Sequence, residues 1–204
     1  MIRFLKDETS KDKIINEIIA EEWEMFTNVQ NINGRASCQD DEKTFYIMRY
    51  GQFSVLSEPT LESYLSDLRV SKNAGINMVA LKYAYMMKIT DYAYYDDNLR
   101  KNVPPVSSEK QELVNKIVAK LNEYQEAFAA KYPKFAAHQR TTAEGVKETS
   151  ISAYATGELE TYTPTTLKLL IRDMDADPAI LEKMQNTVAE LSGYANLSAA
   201  EAAL

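Results

Sequence analysis

Between residues 10 and 29, apolar side chains fall at Ile15, Ile18, Ile19, Phe26 and Val29, the spacing of one face of an α-helix. "NINGR" then breaks the pattern with Asn and Gly. A second helical pattern follows in "DDEKTFYIMRYGQFSVL", with Phe45, Met48, Val55 and Leu56 on its inner arc. Ser57 is a good N-cap for "EPTLESYLSDLRV", because Pro59 lies in the first turn, where its missing N–H costs little. "NAG" closes that helix and "INMVALKYAYMMKI" opens another. The polar, tyrosine-rich stretch from Thr90 to Val106 reads as a connector. Ser108 and Gln111 then offer a capping box for a long helix through Tyr132.

The pattern repeats. "INEIIA" at 15–20 aligns with "VNKIVA" at 114–119, and "GQFSVLSEPTLESYLSDL" at 51–68 with "GELETYTPTTLKLLIRDM" at 157–174. The expected fold is all-α: two homologous helical halves packed as one unit about a pseudo-twofold axis. The first half spans 9–90, the connector 91–107 and the second half 108–204.

Composition narrows the function. The chain has 204 residues, and 45% of them are hydrophobic, enough for a real core. Its single cysteine permits no internal disulfide, which points to the reducing cytoplasm. No apolar run approaches a membrane span, and the N-terminus lacks a signal-like apolar region. A formal charge of −7 disfavours direct nucleic-acid binding. One cysteine and one histidine cannot build a structural zinc site, and no Walker loop or dinucleotide fingerprint is present. No metal or cofactor is expected.

The candidate chemistry lies on the wrong faces of the first two helices. Glu22 falls in the middle of an apolar arc, where the aligned residue of the second half is Leu121. Arg49 and Gln52 fall on the next arc, answered by Ala155 and Glu158. Buried groups of this kind must be paired. The reading is a Glu22–Arg49 pair with Gln52 beside it, roofed by Arg35 and Gln39 of the elbow "GRASCQDD". These five residues would bind an anionic group, or Glu22 and Arg49 form a purely structural buried ion pair that ties the loop to the helices. Glu22 is a candidate acid or base, and Cys38 a weaker candidate nucleophile. "ASCQ" and "AAHQ" occupy equivalent loops, so His138 is the only conceivable imidazole partner for Cys38. The simpler expectation for Cys38 is a small, buried apolar side chain.

At "WEMF…NGRASCQDD…TFYIMRYGQFSVLSE…TLESYL" the chain resembles a bacterial family of unknown function, DUF4125. The likeness continues through "VPPVSSEKQELVNKIVA" and "GELETYTPTTLKL". It implies a helical, cytoplasmic protein, in some members adjoining or fused to a nucleotidyltransferase-like domain. It supplies no activity and no catalytic residue. Three functions are therefore weighed: a small-ligand module for an anionic or nucleotide-like molecule, accessory to a nucleotidyltransferase-like partner; an enzyme using the Glu/Arg pocket for acid–base or acyl chemistry; and a ligand-free scaffold. Oligomeric state is left open.

Overall fold

The structure, a computed structural model, describes residues 9–31, 34–138 and 150–204. Gln139 of the "AAHQ" match, residues 140–149, residues 32–33 and the N-terminal residues 1–8 lie outside them. Among the described residues all regular structure is helical. The chain runs through α1 (Ser10–Thr27), a 3-10 turn (Ser37–Asp40), α2 (Glu42–Ser54), α3 (Glu58–Asn73) and α4 (Met78–Thr90). It continues through α5 (Tyr92–Tyr94), α6 (Ser108–Lys131), α7 (Pro133–Ala137), α8 (Ile151–Leu159), α9 (Pro164–Ala176), α10 (Ile180–Leu191) and α11 (Leu197–Ala203).

Local capping explains the boundaries. Thr9 and Asp12 form a reciprocal capping box at α1. The side chains of Asp41, Asn77 and Ser150 accept N–H bonds at the starts of α2, α4 and α8. The long helix α6 is capped by Ser107, one residue before the expected Ser108, and Gln111 instead bonds Asn115. The expected connector also differs. Asp91 accepts the Tyr94 N–H at 3.1 Å, starting α5, which passes into a π turn (Tyr95–Leu99) and a 3-10 turn (Arg100–Asn102).

Ser57 is the N-cap residue of α3, but the cap is supplied from outside. Asp173 of α9 accepts the Ser57 N–H at 2.9 Å and the Thr60 hydroxyl at 2.6 Å. Asp67 of α3 does the same at the start of α9, accepting the Thr163 N–H at 3.0 Å and the Thr166 hydroxyl at 2.7 Å. Each helix thus closes the other's N-terminus.

The main core gathers Ile15 and Ile18 of α1, Leu61 and Leu68 of α3, Val114 and Ile117 of α6, and Leu167 and Met174 of α9. Around it α4 packs along α8 and α2 along α10. Two glycines permit that approach. A Cβ on Gly51 would overlap Val188 Cγ2, and one on Gly157 would overlap Met86 Cγ and lie 2.8 Å from the Lys82 carbonyl oxygen. A smaller cluster around Phe128, Leu181 and Leu197 seats α11. No helix among the described residues is long and apolar enough to cross a membrane.

Candidate functional site

Helix α1 delivers Glu22 to the interior, where it is only 2% exposed, and α2 delivers Arg49 opposite it. The two form a bidentate pair: Arg49 Nε donates to Glu22 Oε2 at 2.6 Å and Nη2 donates to Oε1. Arg49 Nη1 donates to Gln52 Oε1 at 2.7 Å and to both oxygens of Glu158 on α8, at 3.1 and 3.2 Å. Glu158 also receives Lys82 Nζ from α4 at 2.6 Å and Gln52 Nε2 at 2.8 Å. Two phenols complete the shell: Tyr64 donates to Glu22 at 2.6 Å and Tyr162 to Glu158 at 2.9 Å.

The charges cancel, two carboxylates against two cations. Burial opposes the charge of Arg49, yet Glu158 and Glu22 raise its pKa well above the ordinary value. Burial alone would push the Glu158 carboxyl up, but Arg49 and then Lys82 hold it far below the usual carboxylate range. Burial pushes both phenols well up, reinforced most by Glu22 at Tyr64 and by Glu158 at Tyr162, so both remain donors. The arginine face rests on Phe53, 4.7 Å from the ring centre, and the Lys82 ammonium lies 3.7 Å from the centre of Tyr154.

The cluster borders a cleft of about 200 Å³ walled by Phe45, Tyr83 and Tyr154. Glu22, Arg49 and Lys82 line it. A second cavity, about 560 Å³, lies on the other side, between α2, α6, α8, α9 and α10. Met48, Tyr154 and Glu158 touch both.

The structure brings Glu22, Arg49 and Gln52 together and leaves Arg35 and Gln39 apart from them. Gln39 is buried, but its amide donates to the Phe26 and Val29 carbonyls and accepts from Asn31 and the Ala36 N–H. Arg35 donates to Asp40 and to the Thr27 and Gln39 carbonyls. Both side chains donate to carbonyls at and just after the end of α1, so the elbow is stitched to the helix and their polar atoms are occupied there. Cys38 is exposed on that elbow, against the expectation of a buried thiol, because the short 3-10 turn aims Gln39 inward instead. Cys38 borders the first cleft and His138 the second, where the histidine Nδ1 pairs with the Lys134 carbonyl. Met48 is 49% exposed, so the inner face of α2 belongs to Ile47, Arg49, Gly51 and Phe53 instead.

Sequence reasoning missed Lys82, Tyr64 and Tyr162, and it noted Glu158 only as the counterpart of Gln52. No group of three or more His, Cys, Asp or Glu side chains among the described residues is arranged to hold a metal.

The family model for "Protein of unknown function (DUF4125)" matches residues 12–202. The chain belongs to DUF4125. No curated protein and no solved structure matches it. The matched span of DUF4125 includes every residue of the charged cluster.

Proposed function

We propose that this chain is a small-ligand binding module whose first cleft takes an anion carried on a flat ring, nucleotide-like in chemistry. The observation that carries it is the state of Lys82. Arg49 is enclosed by two carboxylates and an amide, whereas the Lys82 ammonium has one carboxylate partner and lines the cleft. Beyond Glu158 and the face of Tyr154, it keeps donor capacity for an anion. Phe45, Tyr83 and Tyr154 wall the cleft beside it with aromatic surface. About 200 Å³ holds a ring and one charged group, not a whole dinucleotide. Arg49, Glu22 and Gln52 then serve as the floor that fixes Lys82 through Glu158. The enzymatic alternative has less support, since Glu158 is held ionised and Glu22 is clasped by Arg49 and Tyr64.

We also infer two like halves related by an approximate twofold axis. The packing of α4 on α8 is answered by α2 on α10. Gly51 against Met184 and Val188 answers Gly157 against Lys82 and Met86. Asp67 and Asp173 exchange caps, and Lys11 bonds the Ser54 carbonyl as Lys110 bonds that of Glu160. An accessory role beside a nucleotidyltransferase-like partner belongs to the same reading.

Thermal shift and calorimetry with nucleoside monophosphates, ring carboxylates and inorganic phosphate test the ligand. A binder should raise the melting temperature by linkage. Lys82→Met, which copies Met184 of the second half, should weaken it at least about tenfold, the worth of a charge-assisted hydrogen bond. Binding that is indifferent to Lys82, or no binder in the panel, rejects the proposal.

A further inference from the structure

We propose that the second cavity is a separate binding site for an elongated, uncharged and largely apolar molecule, anchored by the amide of Gln185. This goes beyond the anion reading. It shares the two-half correspondence but uses no cation.

The first support is Gln185 itself. It sits on α10, is 5% exposed, lines the cavity, and makes no hydrogen bond among the described residues. Its amide atoms are not sealed in the core but reach the cavity, where a ligand can meet both donor and acceptor. Here it faces a space of about 560 Å³, a size typical of pockets for small organic molecules.

The second support is how the cavity arises. Position for position, it corresponds to the first cleft. Glu22, Arg49 and Lys82 fill the first with charge, and Leu121, Ala155 and Met184 stand at the matching places of the second. Replacing a guanidinium-bearing chain by the methyl of Ala155 leaves much of the extra room. The exchange of charges for Leu and Met makes the walls apolar.

The chemistry of the occupant follows from what lines the walls. Arg49 and Lys82 line only the first cleft, and no lysine or arginine lines the second among the described residues. An anionic ligand would meet Glu158 with no lysine or arginine on its own side, and only His138 among the described lining residues could carry a positive charge. A cation would have to outcompete Arg49 and Lys82 for that carboxylate. An uncharged ligand with one donor or acceptor for Gln185 meets neither obstacle, and its apolar length would cover Leu121, Ile180 and Leu181.

Binding of N-phenyl-naphthylamine, an uncharged arylamine with a single N–H, followed by its fluorescence, tests this on the full chain. Saturable one-to-one binding is expected. Ala155→Phe should abolish it by filling the space. Met184→Trp fills the same space from α10 and serves if the first variant fails to fold, as judged by circular dichroism. Gln185→Leu should weaken the arylamine about fivefold, the scale of one neutral hydrogen bond, and leave the hydrocarbon diphenylhexatriene unchanged. Non-saturating fluorescence, or a wild-type affinity in both folded filling variants, overturns the site. Equal arylamine affinity in Gln185→Leu overturns the anchor. Since the probe is uncharged, a failure of anion binding at Lys82 leaves this result independent.

Discussion

Arg49 contacts carboxylates from two other helices, and only one of them comes from the N-terminal part of the chain. Removing one partner of a buried pair typically costs 3–5 kcal/mol, because the survivor stays buried. Arg49 would keep Glu158, so Glu22→Gln should cost on the order of 3 kcal/mol, read from the urea midpoint at neutral pH. An unchanged midpoint would show that the pair contributes little to holding α1 against α2. The sequence exposed this pair for a plain reason: Glu22 and Arg49 interrupt apolar arcs, and such interruptions must be compensated. It could not expose Lys82 or Glu158 in the same way. Lys82 looks like an ordinary lysine of an amphipathic helix, and its partner lies 76 positions away. Cys38 and Gln39 show a second limit. Which of two adjacent turn residues points inward depends on carbonyl acceptors at and just past the end of α1, which no periodicity encodes.

At the scale of elements, helix boundaries were legible to within a residue or so where local capping sets them, as at Ser57 and α6, but not in the connector, and the packing partners were not. In an ordinary exposed helix, replacing Gly by Ala stabilises by roughly 1 kcal/mol. The sign should reverse at Gly51 and Gly157. Gly157→Ala would press on the Lys82 backbone as well as on Met86, whereas Gly51→Ala meets chiefly the Val188 side chain. Both should destabilise, by about 1–3 kcal/mol, with Gly157 the worse, because backbone yields less than a side chain. Thermal melts of the two variants decide it, and a stabilised Gly157→Ala would mean that α4 and α8 are not in close contact. Both glycines stand first in the aligned segments 51–68 and 157–174, but their purpose appears only when α10 and α4 are seen lying across them.

For the whole molecule, the crossed packing of α4 on α8 and α2 on α10 leaves neither sequence half with a complete core. Urea unfolding should therefore be a single transition, with Trp23 fluorescence, which reports α1, coincident with far-UV circular dichroism, which reports every helix. Separated transitions would mean that the halves are independently stable. Acid should act on the same unit. The folded-state pKa of Glu158 is depressed, so its contribution is complete above the usual glutamate range, near about pH 4.3, and is lost as pH falls below it. Glu158→Gln should flatten that acid limb while lowering stability at neutral pH. All-α architecture and helix order were readable from the sequence. The crossing was not, because contacts between distant segments leave no periodic trace.

The exchanged aspartate caps carry an evolutionary consequence. A change at Asp67 is felt at the start of α9, and a change at Asp173 at the start of α3, so neither site can drift without penalty in the opposite segment. The walls of the second cavity carry fewer such ties, for Leu121 and Ala155 stand there where Glu22 and Arg49 line the first. On the proposed two-half reading, substitutions are held in pairs at the seam, whereas the apolar chamber can vary with less consequence for the fold.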